Sequence, residues 1–167
     1  HMIGSCCGST PEYTGEISRA VKEEKPVART SKPSLRLSSR VQTVTVGSGE
    51  PFCIIGERIN PTNRDKLAES LREGGTGIVQ AEAEKQAAEG AHMIDVNLGV
   101  PGLDEAAAMK RVIPALDSSQ KLPLCLDTTS AEAMEAGLQA AAGKVLINSV
   151  NGSSESLETV LPLPARY

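Results

Sequence analysis

Short polar side chains recur at the carboxyl ends of four apolar runs in this sequence. The runs are predicted strands at residues 52–56, 92–98, 124–127 and 145–148, and each leads into a carboxylate or an amide. These side chains offer hydrogen-bond donors and acceptors to a flat heterocycle with an amide-like edge. The candidate site residues are Glu57, Asn60, Asp95, Asn97, Asp127 and Asn148.

The chemistry of this set favours a site that positions a ligand and stabilises a proton. It contains no histidine and no metal-binding spacing, and it assigns no catalytic nucleophile. Each residue alone is also open to a structural interpretation. Asp127 could cap the helix after it, and Asn148 could be a loop amide. Asp95 and Asn97 share one strand face, so one of them could support the core. Recurrence at four strand ends is what favours function.

The elements that must position these residues form a regular series from Pro51 onward. A strand followed by a helix, repeated four times, predicts an α/β fold of parallel strands with right-handed crossovers. A (β/α)8 TIM barrel needs eight strands in roughly 250 residues, so about four β/α units make a partial barrel. An open flavodoxin-like sheet is the alternative, although no Gly-x-Gly-x-x-Gly loop follows any strand.

Particular residues mark the predicted helix boundaries. Thr129 with Glu132 forms a capping box, and Gly143 supplies the stop of that helix. Pro114 lies inside the preceding apolar stripe and predicts a kink or an early break. The remaining helices are predicted at residues 64–73, 77–89 and 153–162.

The sequence before Pro51 divides into two segments. Residues 10–24 predict a helix, with Thr10 as its cap and Pro11 in its first turn. Residues 25–50 are richer in Pro and Ser and predict a linker with room for a small hairpin. The expected organisation is therefore a helical segment at 1–24, a linker at 25–50 and a partial barrel at 51–167.

Composition excludes several function classes. The chain of 167 residues has two tyrosines, one phenylalanine and a net charge of −4. It therefore lacks the aromatic side chains on which bases stack and the excess of positive charge that binds phosphates, so nucleic-acid binding is not indicated. No apolar run approaches the ~20 residues that span a membrane, and no signal peptide is visible. Cys53 and Cys125 lie in apolar runs, as reduced thiols do. We expect a cytoplasmic protein.

Four motifs in order resemble the pterin-binding methyltransferase domain found in cobalamin-dependent methionine synthases and in the corrinoid protein methyltransferases of acetogens. They are Ile54-Ile-Gly-Glu-Arg-Ile-Asn60, Ile94-Asp-Val-Asn-Leu-Gly99, Leu124-Cys-Leu-Asp127 and Ile147-Asn-Ser149. The resemblance covers about residues 52–163 and implies a dihydropteroate synthase-like barrel. Dihydropteroate synthases carry an Asn-Val-Thr-Pro-Asp-Ser-type first motif instead, so the resemblance favours methyl transfer over pterin condensation.

The resemblance also implies roles for the candidate residues. Asp127 and Asn148 would hydrogen-bond the pterin of 5-methyltetrahydrofolate, Glu57 and Asn60 would line the same pocket, and Asp95 and Asn97 match the second-strand motif. Cobalamin, carried by another, corrinoid-binding module, would accept the methyl group. Further family residues on later strands fall beyond Tyr167, so we expect the chain alone to be inactive and to associate with itself through open barrel edges.

The first residues resemble the end of a homocysteine-binding barrel. In that family a Gly-Gly-Cys-Cys-Gly run supplies two of three zinc thiolates, and here Cys6 and Cys7 occupy those places, with Ser5 for the second Gly. The third thiolate would lie upstream, so we expect zinc binding by these two alone to be weak or absent. The implied reaction passes a methyl group to homocysteine to make methionine. The alternatives are a corrinoid protein methyltransferase, a dihydropteroate synthase-like protein and a non-catalytic assembly piece.

Overall fold

The computed structural model describes residues 8–25 and 34–167, which fall in two compact units, residues 1–33 and 34–167. In the first unit the described element is α1, Pro11–Val21, with Thr10 at its N-cap position and Pro11 in its first turn. This confirms the predicted helix, which is three residues shorter at its end than expected. Cys6 and Cys7 lie outside the described residues.

The second unit is built on four parallel strands that follow one another across the sheet in chain order, β3 Ile55–Ile59, β4 Met93–Asn97, β5 Leu124–Asp127 and β6 Leu146–Asn148. An antiparallel hairpin precedes them, and helices follow each strand, which confirms the predicted partial barrel of four β/α units. Among the described residues no helix has the length and apolar character to cross a membrane. The elements are β1 Leu35–Ser38, β2 Thr43–Val46, β3 Ile55–Ile59, α2 Asp65–Arg72, α3 Gly77–Ala88, β4 Met93–Asn97, α4 Glu105–Ser119, β5 Leu124–Asp127, α5 Ala131–Ala140, β6 Leu146–Asn148, α6 Ser154–Thr159 and a 3-10 turn at Leu163–Ala165.

The main core lies between the sheet and its helices. Ile94, Val96 and Leu126 point toward the helices and are fully buried there against Met109 and Ile113 of α4. Side chains alternate along a strand, so the neighbouring residues point to the opposite face, the barrel interior. Burying the apolar face therefore fixes which polar residues face inward.

The β1–β2 hairpin covers the amino ends of the strands. Leu37 is 1% exposed and packs on Met93 and Cys125. The Ser38 amide donates to the carbonyl of Lys144, just before β6, at 2.9 Å. The Ser39 hydroxyl donates to the carbonyl of Lys121, before β5, at 2.5 Å. The hairpin, foreseen within the predicted linker, thus belongs to the same compact unit as the barrel strands and lies at the end opposite the candidate site.

Several predicted boundaries are wrong in detail. Strand β3 begins three residues later than predicted, so Glu57 lies within the strand. Helix α4 continues through Pro114, which lies on the exposed side of the helix. Proline has no amide proton, so one carbonyl of the preceding turn lacks its helical hydrogen bond. On this side of the helix, water can hydrogen-bond to that carbonyl instead. The cap of α5 is Ser130, whose hydroxyl accepts from Ala133, and not Thr129. Helix α6 is shorter than predicted.

Gly143 does not end α5, which stops at Ala140, and instead lets the hairpin approach. A Cβ atom at Gly143 would overlap the carbonyl oxygen of Ser38. Because that oxygen belongs to the main chain, only a shift of the backbone could relieve the overlap. Glycine is thus required here by the close passage of two backbone segments.

We expect Gly143→Ala to lower the free energy of unfolding by about 1–3 kcal/mol, because the added methyl group overpacks the hairpin junction. Urea denaturation checks this. Gly152→Ala is the matched control, since nothing lies within 4 Å of the Cβ it would add. Equal unfolding midpoints for the two variants would contradict the assigned role of Gly143.

Both edges of the four-stranded sheet expose apolar surface. On the β3 side Phe52 is 87% exposed and Ile54 49%. On the β6 side an open groove of about 800 Å³ is lined mainly by apolar residues, Leu146, Leu161 and Tyr167 among them. Unpaired edges beside apolar surface recruit further strands or chains.

We therefore expect this chain to self-associate at micromolar concentration. Phe52→Ser should shift the sedimentation distribution toward smaller species, because it removes the most exposed apolar side chain of the β3 edge. Tyr13→Ser, which changes an exposed aromatic residue of α1, should leave the distribution unchanged. A single monomeric boundary for the unchanged chain at all concentrations would refute the idea.

Candidate functional site

Three candidate residues form a row at the carboxyl edge of the sheet. Asn97 of β4 is the register partner of Asp127 of β5, and Asp127 is the partner of Asn148 of β6. The Thr128 amide donates to the Asn148 carbonyl at 2.8 Å, which extends the pairing one residue beyond β5. The predicted convergence of strand ends thus holds for these three residues.

Asn97 holds the carboxylate of Asp127 in place. Its Nδ2 donates to Asp127 Oδ2 at 2.9 Å, and its Oδ1 accepts from the Gly99 amide at 3.0 Å. Both ends of the Asn97 amide are therefore engaged by the protein. Asp127 is half-buried, and a carboxylate has more acceptor positions than this single bond uses. The pair presents a carboxylate of fixed orientation at the mouth of the half barrel.

Asp95 lies one layer deeper on the same inward face. It is 4% exposed, and its register partner is Cys125. Burial raises the pKa of Asp95, and the nearby carboxylates of Asp127 and Glu57 raise it further. Hydrogen bonds from the Cys125 thiol and the Asn148 side chain act in the opposite direction. Asp95 is thus a carboxyl group that holds a proton to higher pH than an exposed aspartate.

The Cys125 thiol belongs to the same cluster and stays protonated. Burial is the main cause that raises its pKa, and the neighbouring Asp95 adds to the effect. A thiol in this state is a poor nucleophile. Cys125 is a free cysteine, which agrees with the reduced thiol expected from the sequence, but its contact with Asp95 was not foreseen.

Glu57 and Asn60 line a separate part of the same edge. They border an open cleft of about 440 Å³ that the β3–α2 loop completes with Thr62 and Arg64. Asn60 Oδ1 accepts from the Thr62 amide at 3.0 Å, which fixes the first turn of that loop. Glu57 is close enough to Asp95 for its charge to raise the pKa of that carboxyl group.

Sequence reasoning missed two residues that hold this edge together, Gln86 and Arg64. Gln86 of α3 is 4% exposed and accepts from the Arg58 amide at 2.9 Å. Arg64 donates to the Arg58 carbonyl and pairs with Glu82 at 2.6 Å. One signal was present for Gln86: it continues the buried stripe of Val79 and Ala83, where a polar residue calls for a partner.

The described residues contain no group of three or more His, Cys, Asp or Glu side chains placed to hold a metal ion. The arrangement at the carboxyl edge instead suits a neutral, polar heterocycle. It combines an oriented carboxylate, an amide and a buried carboxyl group with a raised pKa.

Comparisons with known proteins agree with this geometry. The chain is 31% identical over 150 residues to methionine synthase of Mycobacterium tuberculosis (strain ATCC 25618 / H37Rv). The aligned segment covers 90% of this chain and 13% of that protein. This confirms the resemblance to methionine synthases. Dihydropteroate synthase of Xanthomonas albilineans, solved with indole-2-carboxylic acid and 6-chloroguanine, superposes with a TM-score of 0.52 at 26% identity. That match covers 78% of this chain and 47% of the synthase, so the chain spans less than half of either relative.

The family comparison covers most of the half barrel. Residues 56–166 match the family described as pterin binding enzyme. The matched segment begins inside β3 and includes every strand end of the row described above. The chain therefore belongs to the family of pterin-binding enzymes.

Proposed function

We propose that this chain binds the pterin ring of 5-methyltetrahydrofolate as part of a methyltransferase of the methionine synthase type. The observation that carries the proposal is the row of Asn97, Asp127 and Asn148, with the Asp127 carboxylate oriented by a 2.9 Å hydrogen bond. A pterin presents an amino group and ring N–H groups along one edge, and an oriented carboxylate accepts from both. Asn148 and Asp127 would hydrogen-bond to this edge of the pterin. Glu57 and Asn60 would line the cleft beside it.

The methyl group of this substrate is bound to a tertiary amine nitrogen, which is a poor leaving group unless it gains a proton or a strong hydrogen bond. When the methyl group leaves, the C–N bond breaks and the nitrogen becomes a secondary amine by taking up a proton. Asp95, with its raised pKa, is a buried group that can keep a proton in this polar cluster. Its role would be to support the change in charge through Asn148 and Asp127.

The methyl acceptor would be supplied from elsewhere. By resemblance it would be cobalamin, carried by another module that would dock over the carboxyl edge, and the methyl group would pass from there to homocysteine. Zinc, through Cys6 and Cys7, belongs to the homocysteine part of this proposal. Those two residues lie outside the described ranges, and no step proposed for the pterin site involves them.

A second candidate is pterin condensation of the dihydropteroate synthase type, and the structural match to that enzyme favours it. The first-strand motif Gly56-Glu-Arg-Ile-Asn60 argues against it. Calorimetric titration separates the two. Methyl transfer requires binding of 5-methyltetrahydrofolate, whereas pterin condensation does not.

We expect Asp127→Asn to weaken binding of 5-methyltetrahydrofolate by roughly 10- to 100-fold, since a charge-assisted hydrogen bond contributes about 1.5–3 kcal/mol. The substitution keeps the shape but sets a donor against the donors of the pterin. Asn97→Ala is the comparison: it frees the Asp127 carboxylate to rotate and should lower affinity by less than about tenfold, together with stability. Calorimetry measures both. Equal affinities for the unchanged chain and Asp127→Asn would refute the pterin anchor.

Asp95 should give the stability of this unit a distinct pH dependence. Its folded pKa lies above the ordinary value of 3.8, so the native state binds more protons between these two values, and stability falls as pH rises through that window. Asp95→Asn removes this contribution. The difference in urea midpoint between the Asp95→Asn variant and the unchanged chain should therefore move in favour of the variant as the pH rises above about 4.

Burial also raises the pKa of Asp117. Because Asp117 is present in both the unchanged chain and Asp95→Asn, its contribution to the pH dependence of stability cancels when the two are compared. Asp117→Asn serves as a positive control with the same sign. A difference between Asp95→Asn and the unchanged chain that stays constant with pH would contradict the raised pKa of Asp95.

A further inference from the structure

Strand β3 contains an irregularity at the point where the candidate site begins. Gly56 pairs with Ile94 and Ile59 pairs with Val96, so four residues of β3 run beside three of β4. The extra residue is a β-bulge within Glu57-Arg58. Because side chains alternate with a period of two, one inserted residue reverses the facing of everything after it.

The bulge determines which residues line the open cleft of about 440 Å³ beside the β3–α2 loop, which is called the pterin cleft from here on. Ile59 is fully buried among the helix-facing core residues, and Glu57 lies near Asp95 on the inward face. Without the extra residue, Ile59 would share the face of Glu57, and Asn60 would turn toward the helices. With it, Glu57 and Asn60 line the same cleft.

Both polar groups of the Arg58 backbone are held by side chains at this point. Gln86 Oε1 accepts from the Arg58 amide at 2.9 Å, and Arg64 donates to the Arg58 carbonyl. A third residue joins the two. The Glu82 carbonyl accepts from Gln86 Nε2 at 3.2 Å, and the Glu82 carboxylate pairs with Arg64 at 2.6 Å.

We propose that Gln86, with Glu82 and Arg64, is the positioning element that maintains the β3 bulge and so brings Glu57 and Asn60 together in the pterin cleft. Gln86 acts through the backbone of Arg58 and is not placed against the ligand. Gly56 supports the same contact, because a Cβ there would lie 2.5 Å from Gln86 Oε1. The effect on binding rests on the proposed function, whereas the effect on the bulge does not.

Gln86→Met tests the proposal, because it keeps the length of the side chain and removes its acceptor and donor. Gln86→Glu keeps the acceptor for the Arg58 amide. Gln80→Met is the matched control on the same helix: Gln80 donates to the Ala115 carbonyl at 3.3 Å, a side-chain-to-backbone bond directed at α4 and away from β3. Gly56→Ala is a second route, since it displaces Gln86 without altering it.

Hydrogen exchange of the Arg58 amide reports the bulge directly. We expect faster exchange in Gln86→Met and Gly56→Ala, near-normal exchange in Gln86→Glu, and no change in Gln80→Met. Titration with 5-methyltetrahydrofolate should show about tenfold weaker binding for Gln86→Met, the equivalent of one ordinary hydrogen bond, and unchanged affinity for Gln80→Met.

The outcomes separate the two proposals. An unchanged chain that does not bind 5-methyltetrahydrofolate would refute the proposed function, and the exchange data would still decide the role of Gln86. Unaltered Arg58 exchange in Gln86→Met would overturn the positioning role. So would equal losses of affinity in Gln86→Met and Gln80→Met, since that result indicates only a general loss of stability.

Discussion

The parallel register of β4, β5 and β6 is the constraint on which the candidate site depends. Asn97, Asp127 and Asn148 are 30 and 21 positions apart in sequence, yet the register makes them direct neighbours. The helix-facing residues Ile94, Val96 and Leu126 fix that register, since a slip of one position would expose them. The polar row is therefore held in place by the apolar core behind it.

The same constraint explains why polar groups of different character accumulate at one edge. Each strand places one residue at its mouth and another one layer deeper, so Asp127 is half-buried while Asp95 is 4% exposed. Burial is the main cause that raises the pKa of the deeper carboxyl group, Asp95. The fold thus provides a hydrogen-bond acceptor and a proton-holding group from residues of the same type.

Much of this arrangement could be predicted from the sequence. The strand-helix alternation predicted the four β/α units, and the strand ends predicted that Asn97, Asp127 and Asn148 lie side by side, because both follow from local periodicity. What escaped prediction depends on contacts between distant segments. The bulge in β3 cannot be predicted from a period-two pattern of apolar residues. The role of Gln86 depends on its hydrogen bond with the Arg58 amide, 28 residues earlier in the sequence. Ser130 rather than Thr129 caps α5, since the two are equally suitable caps and the extent of β5 decides between them.

The hairpin at the amino ends has a consequence for folding order. The Ser38 hydroxyl accepts from the Lys144 amide across 106 residues, and Leu37 is buried on Met93 and Cys125 of two different strands. The hairpin is synthesised before the barrel strands, but its hydrogen bonds to Lys144 cannot form until the segment leading into β6 is in place. Contacts of such sequence separation close large loops and form slowly. The hairpin is therefore held fully against the amino ends of the strands only after the segment leading into β6 has joined the sheet.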